Sequence, residues 1–174
     1  MRIAISGKSG CGNTTVTKLV AEKLGYPMIN FTFRNLATEK GYEFWEFCKL
    51  AETDDSYDRE LDSRQVAMAM AEENCVLGSR LAIWMLKDAD FKVYLDVSEK
   101  VRTLRVLNRE GGNLSQKLQE TSQRDAHDSA RYKRIYGIDN NDTSAADLVV
   151  DANDLNPEEI SDLIIQSAFQ KVSK

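Results

Sequence analysis

The period of the apolar positions changes repeatedly along this chain, and the changes mark out its elements. Arg2–Ser6 carries the run Ile3-Ala4-Ile5, the pattern of a strand buried on both faces, and it leads straight into a glycine-rich turn. From Thr14 to Leu24 the residues Val16, Leu19, Val20 and Leu24 recur at helical spacing, and Gly25 and Pro27 stop that helix. Met28–Phe31 reads as a second strand. Between Phe33 and Glu73 the pattern is helical, with Phe44, Phe47, Cys48 and Ala51, then Leu61, Val66, Met68 and Met70 on a charged background. Cys75–Gly78 and Phe91–Val97 predict a third and a fourth strand. A basic helix over Ser98–Arg109 follows, then Gly111-Gly112, then a polar helix from Leu114 to about Tyr136. Ala146–Val150 is the fifth strand candidate. Pro157–Phe169 closes the chain as an amphipathic helix with Ile160, Leu163, Ile164 and Ala168 facing inward.

Strands alternating with helices predict an α/β fold, a mainly parallel sheet covered on both faces. A length of 174 residues fits one domain with one core. Formal net charge is −5, which argues against a chain built to coat nucleic acid or an anionic membrane. Arg2–Ser6 reaches Gly7 too soon for a signal-peptide core, and no apolar run approaches a membrane span. Cys11, Cys48 and Cys75 match neither a disulfide framework nor a zinc site and point to a reducing compartment. A cytoplasmic location is expected, with neither nucleic acid nor membrane as a partner; the oligomeric state is left open.

Chemistry enters at the first turn. Gly7-Lys8-Ser9-Gly10-Cys11-Gly12-Asn13-Thr14-Thr15 lies between the first strand and the first helix, where glycines let the backbone wrap an anion and the helix N-terminus meets it. The phosphate-loop pattern G-x-x-x-x-G-K-[ST] is matched at Gly7, Gly12 and Thr14, but Asn13 stands at the lysine position. Thr14 keeps the hydroxyl that reaches Mg²⁺ in such loops, and Lys8 is the nearest cation in the segment. The plainer reading is a glycine-rich turn with no ligand. Cys11, at a helix start, is either a thiol of lowered pKa or a packed small residue.

Several arginines fall where a parallel sheet gathers ligands, beyond the carboxyl ends of its strands. Arg34 follows the second strand and Arg80 the third. Arg124, Asp128 and Arg131, spaced four and then three apart, share one helix face. Two readings of that face stand: a solvated surface laced by ion pairs, or a lid whose arginines close over a transferring phosphoryl group. Arg102, Arg105 and Arg109 carry the same ambiguity. His127 reads as solvated, Asp54, Asp55 and Asp58 as a helix start, and Trp45 and Trp84 as core.

The chain resembles the cytidylate kinases, in particular their short archaeal-type branch, through Arg2–Gly7, Leu61-Asp62-Ser63-Arg64-Gln65, Arg80–Met85, Arg109-Glu110-Gly111 and Arg131–Asp139. That resemblance implies a P-loop NTPase fold, a five-stranded parallel sheet with helices on both faces and a helical lid. It implies one nucleoside monophosphate kinase domain, with a helical acceptor-binding region over about 33–73 and a lid over about 111–136. The implied reaction moves the γ-phosphoryl of ATP, with Mg²⁺, to the pyrimidine monophosphates CMP or dCMP. By the same resemblance Arg34, Arg80 and Arg102 bind the acceptor, and Arg124, Asp128 and Arg131 are the catalytic lid residues. Two positions depart from the branch: Asn13 lacks the loop cation, and Gly78-Ser79-Arg80 replaces a usual Glu-Gly-Arg. The alternatives are a degenerate P-loop protein that binds or senses nucleotide, or a kinase for another acceptor.

Overall fold

The computed structural model describes residues 1–173, the side chain of Trp45 excepted. Five strands, β1 (Arg2–Gly7), β2 (Met28–Ile29), β3 (Cys75–Gly78), β4 (Phe91–Asp96) and β5 (Leu148–Asp151), form one sheet in the order β2-β3-β1-β4-β5. All four pairings are parallel; Ile3 registers with Val76 on one side and Phe91 on the other. Among the described residues eight α-helices connect them: α1 (Asn13–Leu24), α2 (Phe33–Glu39), α3 (Phe44–Thr53), α4 (Ser56–Met70), α5 (Ala82–Met85), α6 (Glu99–Glu110), α7 (Leu114–Tyr136) and α8 (Pro157–Val172).

The sheet is covered on both faces, as the apolar runs of its strands demand. On one face Ile3 and Ile5 pack with Val16 and Val20 of α1 and Ile160 and Ile164 of α8. On the other, Ala4 and Leu77 meet Ala69 of α4 and Ala82 and Ile83 of α5. A separate small cluster of Leu36, Ala37 and Phe47 holds α2 against α3. Because β3 and β4 flank β1 on opposite sides, the strand order reverses at β1, and the turn after it opens into the crevice where such sheets bind ligands.

Local chemistry sets the helix ends. Thr32 and Asn35 form a capping box that starts α2, and this turn cuts β2 to two paired residues where a strand to Phe31 is expected. Asn156 and Glu159 make a second capping box, with Pro157 in the first turn of α8. The helical region 33–73 is three helices, interrupted at Gly41 (φ 76°) and at Asp54. Two expectations fail on the periphery. Leu163 faces solvent on α8, and Met68 and Met70 face solvent on α4, because α4 turns the polar stripe Asp58, Asp62 and Gln65 inward with Ala69.

Candidate active site

A cavity of about 900 Å³ opens at the carboxyl ends of β1 and β3, floored by residues 7–16. Its first wall is the glycine loop. Gly7 is obligatory there: a Cβ would lie 2.6 Å from Cys11 Sγ and 2.9 Å from Leu95 O. Gly10 and Gly12 take φ of 82° and 93°, a left-handed backbone that favours glycine and wraps the loop around the cavity. Among the described residues no side chain caps the α1 N-terminus, so its first amides are left to a ligand, and the helix dipole favours an anion there. Thr14 and Thr15 are exposed at that helix start and, with Lys8 and Ser9, line the cavity. Cys11 is buried, and burial pushes its thiol pKa up, against the pull of the Asn13 backbone and of Arg102. It is a packing residue of the loop.

Asn13 does not reach toward a phosphate. Its Nδ2 donates to Ile5 O at 3.0 Å and Ser79 O at 3.1 Å, and its Oδ1 accepts from Thr17 Oγ1 at 2.8 Å. The side chain that stands in the lysine position therefore ties the ends of β1 and β3 together beneath the loop. Gly78 belongs to the same packing. A Cβ there would run into the Thr17 side chain, so no carboxylate fits at this position beside Thr17.

Arginines approach the loop from α6 and α7. Arg105 donates to Cys11 O at 2.9 Å and Ala152 O at 2.7 Å, and Arg124 Nη1 lies 3.2 Å from Ser9 Oγ. Arg102, expected beside the acceptor, sits elsewhere. It is 2% exposed, does not line the cavity, and donates to Val97 O and Ser9 O at 3.0 Å each and to both Asp125 oxygens at 3.0 and 2.5 Å. Its place one turn into α6 points it under the loop, which makes it a brace between loop and α7.

The remaining predicted residues gather beyond the end of β3 and on the facing helices. Arg80, directly off β3, donates to Asp128 Oδ2 at 2.7 Å. Arg131 lies 3.4 Å from Asp128 Oδ1 and 3.2 Å from Asp58 Oδ1. A chain of alternating charge thus runs Arg80–Asp128–Arg131–Asp58 across β3, α7 and α4. It is incompletely satisfied: among the described residues the buried atoms Asp58 Oδ2 and Arg131 Nε have no hydrogen-bond partner, in a cluster whose Asp58 and Arg131 line the cavity. Arg34 faces the same cavity from α2, its guanidinium 4.0 Å from the centre of the Phe44 ring. His127 is exposed, as expected.

Reading the sequence assigns no role in the site to Asp58, Asp62, Gln65 or Tyr136, although the last three lie in segments that carry the resemblance. Asp58 is read there as a helix start but is buried against Arg131. Asp62 accepts from Tyr136 Oη at 2.6 Å, and Gln65 Nε2 donates to Phe31 O at 2.5 Å. A signal exists: Asp58, Leu61, Asp62 and Gln65 recur at helical spacing, a polar stripe in a segment whose apolar residues fit no single face.

Burial pushes the Asp62 carboxyl up to about 6, Asp58 adding to this while Tyr136 and Arg131 oppose it. The folded state therefore holds this proton more tightly than the unfolded chain does. Stability from this group is complete below its ordinary pKa of 3.8 and is lost as pH rises through about 6. A rise of that size corresponds to roughly 3 kcal/mol. Asp62→Asn should remove the penalty, so thermal melts should show the variant gaining on the wild type as pH rises from 3.8 to about 6 and holding that gain above it. An unchanged difference between the two proteins across that range would contradict the assignment.

The segment 111–136 is not uniform. Gly111 and Gly112, at φ of 72° and 108°, precede α7, whose first half is exposed apart from Thr121 and partly covered residues beside it. The second half is anchored: Asp128, Tyr132 and Ile135 are buried, Arg134 pairs with Asp55 at 2.5 Å, and Tyr136 holds Asp62. Among the described residues no helix is long and apolar enough to cross a membrane.

Residues 2–154 match the cytidylate kinase-like family model. The chain is 46% identical over 168 residues to cytidylate kinase 2 of Borreliella afzelii, covering 94% of each chain. It is 38% identical over 176 residues to cytidylate kinase of Archaeoglobus fulgidus, covering 100% of this chain and 98% of the other. Among solved structures it resembles shikimate kinase from Bacteroides thetaiotaomicron in fold, with TM-score 0.63, 18% identity and 98% of each chain covered.

Proposed function

This chain belongs to the cytidylate kinase-like family, and we propose that it transfers the γ-phosphoryl of ATP to CMP or dCMP. One observation carries the reading beyond family membership. A single cavity brings together a phosphate loop and three arginines from three different segments, Arg34, Arg80 and Arg131. Phosphoryl transfer asks a protein mainly for positioning and charge stabilisation, and this arrangement supplies both.

In this reading Gly7–Thr15 cradles the donor phosphates through backbone amides and the α1 N-terminus. Because Asn13 is committed to Ile5 O and Ser79 O, cationic help at the donor comes from Lys8, Arg105 and Arg124 around the loop. Arg34 and Arg80 hold the acceptor phosphate. Arg131 and Arg124 face the transferring group, and Asp128 orients Arg80 and Arg131 by pairing with both. Mg²⁺, bound with ATP, would offset the negative charge of the donor phosphates. The hard-oxygen donor available to it is the exposed Thr14 hydroxyl at the cavity floor, and among the described residues no cluster of three metal-ligating side chains competes for it. The exposed first half of α7 closes over the site and excludes water, while the anchored second half keeps Asp128 and Arg131 in place.

A coupled ADP-release assay with ATP and Mg²⁺ against CMP, dCMP, UMP, AMP and GMP tests this. Turnover is expected with CMP or dCMP. ATP binding without transfer to any acceptor would overturn the kinase reading in favour of a nucleotide-binding role. Turnover confined to AMP, GMP or UMP would leave a kinase of different acceptor.

A further inference from the structure

We propose that Asp62 and Gln65 select the acceptor by the exocyclic amine of its base, so that cytosine is accepted and uracil refused. This rests on the pyrimidine-monophosphate reading above and names the groups that would carry its specificity.

Both side chains come from the polar stripe that α4 turns into the cavity, and both are more than nine-tenths buried, with 7% and 6% of their surface exposed. A buried carboxylate and a buried amide on a cavity wall need partners. Each has one hydrogen-bond partner among the described residues, and that partner fixes which atom is left for a ligand. Tyr136 Oη donates to Asp62 Oδ2, which leaves Oδ1 as an acceptor. Gln65 turns its NH₂ toward the Phe31 carbonyl, which leaves its Oε1, also an acceptor, together with one N–H. Beside Gln65, residues 30–34, together with Phe44, supply aromatic surface and the Arg34 cation to the same cavity. Arg80 and Arg131 take the phosphate end of the cavity.

The base chamber is thus rich in acceptors along one edge. Cytosine presents an amine with two hydrogens at C4, a match for two acceptors. Uracil presents a carbonyl oxygen at the same place, so the buried Asp62 carboxylate would face it acceptor to acceptor, with only the remaining Gln65 N–H to answer it. Sites built on a buried hydrogen bond discriminate strongly against a ligand that cannot complete it.

Tyr136 makes the test directional. In Asp62→Asn its hydroxyl still requires an acceptor, so the new carbonyl oxygen faces Tyr136 and the new NH₂ faces the base. An acceptor has been exchanged for a donor where cytosine carries its amine. The ratio of kcat/KM for CMP to that for UMP should fall about a hundredfold or more, with UMP gaining in absolute terms. Gln65→Leu, which removes the second acceptor without adding a donor, should lower the ratio about tenfold. In the double variant Asp62→Asn, Tyr136→Phe the amide is no longer pinned and can turn its oxygen to the base, so part of the preference for CMP should return. A merely structural role for Asp62 predicts no such rescue. Wild-type turnover with CMP combined with an unchanged CMP-to-UMP ratio in both Asp62→Asn and Gln65→Leu would overturn the proposal and leave the kinase reading standing. Wild-type transfer to neither CMP nor dCMP would overturn both.

Discussion

Replacing Arg131 with alanine is expected to lower kcat about a thousandfold, the scale set by arginines that stabilise a transferring phosphoryl group. Arg131 is placed between two buried carboxylates, Asp128 and Asp58, with its Nε short of a well-aligned hydrogen bond. When an acceptor phosphate arrives beside Arg80, charge builds on the equatorial oxygens of the group in flight. Arg131 can answer that charge without reorganising solvent. Removing it does two kinds of harm. The transition state loses a donor, and two carboxylates are left facing a polyanion with Arg80 to screen them. The loss should fall mainly on kcat, since Arg34 and Arg80 remain to bind the acceptor in the ground state. Arg131→Lys keeps the charge but loses the planar fork and should recover only part of the rate. Steady-state kinetics with ATP and CMP measure this; a loss below about tenfold in Arg131→Ala would remove the residue from the transfer step.

Much of the architecture is legible in the sequence for a physical reason. A parallel sheet buries both faces, so its strands are short apolar runs such as Ile3-Ala4-Ile5 and Cys75-Val76-Leu77, and glycines mark the turn that follows β1. The phosphate loop is legible because its backbone needs glycine at fixed offsets, and strand-end position alone draws Arg34 and Arg80 to the cavity. What escapes is whatever depends on which way a polar side chain points. In α4 the apolar residues Met68 and Met70 are outside while Asp58, Asp62 and Gln65 are inside. This inverts the rule by which helices are read, because α4 turns Asp58, Asp62 and Gln65 to a polar cavity and reaches the sheet core at its end, through Ala69. Asn13 can be seen to replace a cation, but only the fold shows it engaged with Ile5 and Ser79, below the loop and away from the ligand side. Arg102 and Arg105 sit three apart on one basic helix, yet α6 packs so closely on the loop that a Cβ at Gly10 would come within 3.1 Å of Arg102 O. That closeness buries the first arginine beneath the loop and leaves the second at the cavity edge.

The same packing makes Asp125, which no motif singles out, a residue of large effect. Its carboxylate takes both terminal nitrogens of Arg102, whose side chain is only 3% exposed, and Arg102 in turn holds Ser9 O in the phosphate loop. Removing one partner of a buried, fully hydrogen-bonded pair strands the other, which costs about 3–5 kcal/mol. For a chain of this size that corresponds to a fall in melting temperature on the order of 10 °C. Asp125→Ala should therefore be among the most destabilising changes to a polar residue here. Its neighbours on α7 give it a second consequence. Arg124 precedes Asp125, and Asp128 follows it on the next turn, so the pair sets how α7 stands against the loop and where those two side chains reach. At a temperature where Asp125→Ala is still folded, kcat should also fall, while Asp125→Asn, which keeps the shape and one acceptor, should lose less of both. Thermal melts and steady-state rates on the two variants decide it. A destabilisation of Asp125→Ala below about 1 kcal/mol would mean that Arg102 finds water or another partner, and that the loop does not depend on this brace.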